Sequence, residues 1–445
     1  MPERQAEVHV ARAEDGTVRI AGAPARPQEP AFTRAVLDVA GATLTWPVLG
    51  SPGLPTAEIH DVERAQQWLW ALYGERTAAT VHTHTHTYSD AHTAGRPTDA
   101  APLTEQVTAL AAGAARLALG HWAARWWPAS YLDGIPALEQ DVLGLELAAL
   151  THECQQLFDD AGDQGDQPDD NAAELIADHQ AALAPLIRWW RDARQPTHPA
   201  HPTHPTHPVL PVVLQLDHVL RLIDDAADNA GLDGEPLRLL RSSLEQDSGP
   251  PAGAPLDLGT LFAGRRGYAL AAGEPLATGG RVIARGSGTN DWRRYPPRFV
   301  DAAENAVSWT ASAVGAGRRI EVEVVADVAA PVGGVHLAAE VTVNGGPPTR
   351  VRLAGRDDAW TGRADLDIPA AALPPRIEVG VLLPGFDPGP DPDTSSRATR
   401  DAVRALARHR LTTAAMPTPQ DSQDSYAQPF LAEIAAAATA AGEDF

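Results

Sequence analysis

The sequence predicts a multidomain α + β chain with a mostly helical, bundle-like N-terminal half. An immunoglobulin-like antiparallel β-sandwich forms the C-terminal half, followed by short C-terminal helices. Apolar residues recur at helical spacing between residues 56 and 247, and the apolar period changes to two from about residue 258. His-, Pro- and Asp-rich stretches punctuate the blocks. At 445 residues the chain is too long for one core, and roughly 150 residues per domain implies two or three. With 44% hydrophobic and 21% charged residues, the body of the chain is that of a folded globular protein.

Residues 1–55 alternate weakly, as in Val8, Val10 and then Val18, Ile20, and read as a β-rich lead-in. Residues 56–247 read as a helical domain interrupted by low-complexity loops at 80–102 and 196–210. Its first helix starts at Thr56, carries Ile59, Val62, Leu69, Leu72 and Tyr73, is widened by Trp68 and Trp70, and ends near Gly74. A second helix runs from Leu103 to the stop at Pro128, with Leu110, Ala114, Leu117 and His121 on one stripe. The next carries Leu143, Leu147, Leu150, Cys154 and Leu157, and these two should pack as an antiparallel pair. A further helix spans Ala172 to Trp190, and shorter ones cover Leu214–Ile223 and Glu235–Leu244. Residues 258–386 read as the sandwich, with Asn344-Gly345-Gly346 as a hairpin turn. Residues 387–445 read as an Arg-rich helix over 395–411, a connector and an Ala-rich terminal helix.

Composition excludes several function classes. The chain has no lysine, so all 35 of its basic residues are arginine. P-loop nucleotide binding, protein-kinase chemistry and Schiff-base catalysis each need a lysine amine. The net charge of -23 opposes nucleic acid and anionic membrane surfaces as partners. One short patch of alternating cations and rings, Asp291 to Arg298, runs against that field and is read as the approach to a strand. The single cysteine, Cys154, leaves no disulfide, Cys-type zinc site or iron-sulfur cluster to be built. No cofactor is expected. The start of the sequence lacks a signal pattern and no apolar run is long enough to span a membrane, so cytoplasmic residence is expected.

Three histidines, His121, His152 and His179, project from separate helices, with Glu153, Asp141 and Asp217 as carboxylates that could join them on a metal. The competing reading is hydrogen-bonded core histidines, favoured because the Glu-x-x-His pairs of di-iron bundles and the His-Glu-x-x-His zinc pattern are both missing. Cys154 reads as a small buried residue because His152 points to another face. Ser287, in Gly286-Ser287-Gly288, lacks the first glycine of a nucleophile elbow. The His-Thr and His-Pro tracts read as linkers, and the acidic stretches 159–170 and Asp387–Asp393 as solvated loops. Trp309 and Trp360 could together line a sugar-binding face, but Trp309 is in phase with Val307 and Ala311 and should face the core, and the strand phase shows no exposed aromatic strip. Trp122, Trp126, Trp127, Trp189 and Trp190 should pack in the core rather than form an interface.

The resulting expectation is a non-enzymatic cytoplasmic accessory or adaptor protein whose partners are other proteins. The terminal segment with Phe430, Leu431 and Ile434 is its expected docking peptide. The alternative is a metal-dependent enzyme with a His site in the bundle, acting on a small molecule or peptide.

Overall fold

The computed structural model describes residues 5–13, 15–21, 30–50, 53–86, 98–104, 108–158, 168–194, 209–246, 281–327, 330, 334, 336–356, 358–366, 375–386, 396–416 and 426–442. The fold is mixed α and β with three antiparallel sheets. The chain divides into two compact units. Unit 1 comprises Met1–Arg125, Leu138–Ala263 and His409–Phe445; unit 2 comprises Trp126–Ala137 and Gly264–Arg408. The His-Pro tract, the acidic stretch 159–167 and Asp387–Asp393 lie outside the described residues.

Unit 1 begins with β1 (Gln5–Arg12), β2 (Val18–Ala21), β3 (Arg34–Val39), β4 (Ala42–Pro47) and β5 (Thr56–Ile59). Then come α1 (Val62–His86) and β6 (Thr98–Thr104), and the sheet order is β3-β4-β5-β2-β1-β6. Strict alternation buries Ala35, Leu37 and Val39 on β3 and Ala42, Leu44 and Trp46 on β4. Gly41 turns this hairpin at φ +72°, and a Cβ there would lie 2.2 Å from the Asp61 carbonyl oxygen. That carbonyl accepts the Ala65 amide while the Asp61 side chain accepts the Arg64 amide, so Asp61 caps α1.

Several expected boundaries move. Thr56 starts a strand, because residues 56–59 fill the sheet position between β2 and β4 before the helix begins. Gly74, at φ 80° and ψ 162°, kinks α1 without ending it. Helix therefore occupies residues 80–86 and β6 pairs with β1 at 98–104, where the sequence suggests a loop. Leu103 belongs to β6, and the next helix waits for Thr108, whose hydroxyl accepts the Ala111 amide. Trp68 faces the core and donates to the Ala40 carbonyl, whereas Trp70 is 53% exposed.

The remaining helices of unit 1 are α2 (Ala109–Trp126), α3 (Gln140–Glu153), α4 (Pro168–His179), α5 (Leu183–Arg194), α6 (Val209–Asn229) and α7 (Glu235–Gln246). The helix expected over Ala172–Trp190 splits at a 3-10 turn, Gln180–Ala182. Every residue from Val142 to Thr151 of α3 is buried, which makes α3 the central helix of the unit. A Cβ at Gly113 of α2 would meet Cys154 at 3.1 Å and one at Gly120 would meet Leu147 at 2.5 Å. The two glycines let α2 and α3 approach closely, and the pairing 113 with 154 and 120 with 147 runs antiparallel, as expected.

Unit 2 contains β7 (Arg281–Ser287), β8 (Val307–Val314), β9 (Gly317–Val325), β10 (Ala338–Val343), β11 (Thr349–Arg352), β12 (Ala354–Arg356), β13 (Ala359–Leu366) and β14 (Ile377–Leu382). A five-stranded sheet has the order β12-β13-β9-β8-β7 and a three-stranded sheet the order β11-β10-β14. Val307, Trp309 and Ala311 are buried as their phase implies, and so are Ile320, Val322, Val341 and Val379 at alternate positions of the neighbouring strands. Asn344 and Gly345 both take positive φ, 51° and 73°, at the centre of the β-turn closed by the Gly346 N–H donating to the Val343 carbonyl, which opens the 344–348 connection between β10 and β11. The Gly-Ser-Gly stretch is a packing device: a Cβ at Gly286 would lie 2.8 Å from the Trp309 ring, and one at Gly288 would lie 2.6 Å from the Val379 carbonyl oxygen. Ser287 is exposed, and its carbonyl accepts the Trp309 indole N–H. Trp360 is buried against Phe299, so it lines no exposed sugar-binding face.

The cationic stretch after β7 is spent internally: Arg293 pairs with Asp291, Arg294 with Glu340, and Trp292 and Tyr295 are buried. The Arg-rich helix α8 (Ser396–Ala415) buries Arg400 and Arg404, which meet Glu304 at 2.6 and 3.3 Å; Arg404 also reaches Asp133. The last described helix is α9 (Leu431–Gly442).

Gly41→Ala is expected to destabilise unit 1 by clearly more than the ~1 kcal/mol of a left-handed non-glycine residue, since the contact with Asp61 adds to it. Urea unfolding followed by tryptophan fluorescence measures this. A loss no larger than that of Gly315→Ala, where no atom lies within 4 Å, would refute it.

Candidate functional site

Glu146 lies at the midpoint of α3 with 1% of its side chain exposed, in a helix that is otherwise apolar at its centre. A carboxylate there requires partners. Its Oε1 accepts from Arg116 Nη2 of α2 at 2.9 Å and from Gln215 Nε2 of α6 at 3.0 Å. Its Oε2 accepts the backbone N–H of Leu431 at 2.8 Å. Burial pushes the Glu146 carboxyl up and the Arg116 guanidinium pulls it back down.

The segment before α9 is held by the same groups. Arg116 donates to the Gln428 and Pro429 carbonyls, Gln215 donates to Pro429, and the Gln428 amide donates to Gln215. Arg410 of α8 forms a buried fork with Glu433 at 2.6 and 2.8 Å. Glu433 also accepts the Phe430 amide, which caps α9 from its third residue. The Phe430 ring lies 4.6 Å from the Arg116 guanidinium and 5.5 Å from that of Arg410. Phe430, Leu431 and Ile434 are buried, so they are not an exposed docking peptide. The segment folds back onto its own unit because it supplies the donors and acceptors that Glu146 and Arg116 need.

Beside this cluster, α2, α3 and α6 leave a groove of about 430 Å³. Its walls include Ala112, Ala149, Leu150, Leu214, Val219 and Leu222, and its polar floor is Arg116, Glu146, Gln215 and Gln428. The short side chains of Ala112 and Ala149 leave the space between the helices unfilled, while Leu214, 44% exposed, forms part of the lining. At the mouth Glu153 and His218 approach to 3.9 Å, too far for a hydrogen bond, with side chains 45% and 61% exposed. The His218 ring holds Glu153 below the usual carboxylate range, against burial. Glu153 in turn raises His218, with a smaller pull from Asp217, while burial and Arg116 oppose it.

The candidate metal ligands do not gather at one point, although two of them meet. His179 Nδ1 pairs with Asp141 at 3.2 Å, and Gly144 leaves room for the ring. Asp217 accepts from the Trp190 indole and pairs with Arg221, and Glu153 faces His218. His121 is held below the ordinary histidine value by burial. Among the described residues no three His, Cys, Asp or Glu side chains converge as a metal site requires. Burial pushes the Cys154 thiol far up, which leaves no thiolate nucleophile at neutral pH. Trp122, Trp189 and Trp190 are buried, and Trp126 and Trp127 are half-buried.

Sequence reasoning missed Arg116, Glu146, Gln215, His218, Arg410 and Glu433. A signal existed for the first two, since each is a lone charge inside an apolar helical run and therefore demands a buried partner. The chain matches no protein-family model, no curated protein and no solved structure. Among the described residues no helix is long and apolar enough to cross a membrane.

Glu146→Leu alone is expected to cost about 3–5 kcal/mol, because the buried Arg116 guanidinium loses the carboxylate it pairs with at 2.9 Å. The double variant Arg116→Met, Glu146→Leu should lose less than that single change in urea titrations, and a larger loss would refute the pairing argument. For His218 the folded value is raised, so its stabilising contribution is complete below about pH 6.5 and is lost as pH rises through the folded value. Glu153 is depressed, so its contribution is present above about pH 4.3 and is lost as pH falls through its folded value. An NMR titration should place the His218 midpoint above that of free histidine, returning towards it in Glu153→Gln. A wild-type midpoint at or below the free value would contradict this.

Proposed function

We propose that the chain is a non-enzymatic accessory or adaptor protein that binds other proteins through the groove between α2, α3 and α6. The observation that carries this reading is the groove itself, with apolar walls, an exposed leucine and a polar floor whose hydrogen bonds are already made. The groups of that floor are spent on one another, while the walls offer apolar surface to a side chain. Its neighbouring groups already hold a non-helical stretch of polypeptide, residues 428–430, through main-chain carbonyls and amides. The same proposal includes cytoplasmic residence and an immunoglobulin-like sandwich for the sheets of unit 2, supported by their inward-facing apolar alternation.

Affinity capture with the full chain should retain a defined set of proteins that Leu214→Asp loses. Because Leu214 is half-exposed, that variant should keep the wild-type Tm to within about 2 °C. Retention of the same set by Leu214→Asp would refute the groove as the docking site.

A further inference from the structure

We propose that the groove between α2, α3 and α6 selects a partner segment that combines large aliphatic side chains with a cationic one, the cation settling on Glu153. This rests on the reading of the groove as a docking site and adds the chemistry of its occupant. The argument is one of volume and charge. A space of about 430 Å³ takes two or three aliphatic side chains, and its walls from Ala112 to Leu222 present no donor or acceptor to them. Of the charges lining it, Arg116 is committed to Glu146 and to the carbonyls of Gln428 and Pro429, and Glu146 is committed to Arg116, Gln215 and Leu431.

Glu153 is different. It is half-exposed at the mouth, and its ion-pair partner among the described residues is the His218 imidazole, 3.9 Å away and itself 61% exposed, with the committed Arg116 guanidinium acting on it only through space. Its carboxylate is ionised at neutral pH, and the whole molecule carries a net charge of -23. Both local and global fields draw in a cation and repel an anion. A guanidinium or ammonium on the incoming segment replaces the loose imidazole contact with a charge-assisted hydrogen bond.

The test is fluorescence anisotropy of the full chain with four labelled, end-capped hexapeptides. One alternates leucine with arginine, two replace its arginines by glutamine or glutamate, and the last alternates arginine with glycine. The leucine-arginine peptide should bind best, with the glutamine peptide about fivefold weaker and the glutamate peptide weaker again. Leu214→Asp and the milder Leu214→Ala should both weaken the leucine-arginine peptide, and Glu153→Gln should abolish the preference for arginine over glutamine. Equal binding of the arginine and glutamine peptides would overturn the charge selection and leave the docking site standing. Binding by none of the leucine peptides would overturn both. An arginine-glycine peptide that binds as tightly as the leucine-arginine one would mean attraction to an acidic surface only, and would overturn the inference.

Discussion

A carboxylate at the centre of a fully buried helix sets the terms for unit 1. Burying Glu146 alone would cost several kcal/mol, so the unit can fold only with a cation and further donors around it. Arg116 supplies the cation from α2, Gln215 a donor from α6, and the Leu431 amide a donor from the start of α9. Those demands fix the spacing of three helices and pull the C-terminal arm inward. Arg116 and Arg410 then flank Phe430, and the Arg410 fork with Glu433 secures the helix that follows. The groove is what these commitments leave over: apolar walls where α2 and α3 carry small residues, and a floor already satisfied.

Unit 2 meets a similar problem with different parts. Arg400 and Arg404 are buried and share Glu304, and Arg404 lies 5.8 Å from the Trp292 ring. The Asp301 carboxylate accepts the Ser130 hydroxyl and the Tyr131 amide at 2.7 Å, and the Ala303 amide at 2.8 Å. A chain without lysine builds all its buried cationic contacts from guanidinium, whose planar donor set can satisfy a carboxylate and two carbonyls at once. Arg116 does this directly.

What was legible in the sequence follows from how local each signal is. The strands from Val307 to Leu382 and the Asn344-Gly345 turn announce themselves through alternation and turn chemistry, and both lie where expected. β13 has no clear apolar alternation, because the inward positions between Trp360 and Leu366 are the small residues Gly362 and Ala364 and the other face carries Ala359, Thr361, Arg363 and Asp365. Thr56–Ile59 reads as the start of a helix because a four-residue strand in the middle of a sheet is fixed by its neighbours and has little period of its own. The histidines looked like a site because helical spacing set them on inward faces, yet spacing along one helix does not say what another presents opposite. Glu146 finds a partner 285 residues away, a distance no local pattern reports.

That separation has a consequence for biosynthesis. On a ribosome adding about 5–20 residues per second, roughly 15 to 60 seconds pass between the appearance of Glu146 and that of the Leu431 amide that completes its shell. Until then the α2, α3 and α6 helices can gather only around an under-coordinated ion pair, with the bed of α9 open. The nascent protein is therefore held short of its final core while unit 2 is made, and a chain truncated before residue 431 exposes that bed as apolar surface.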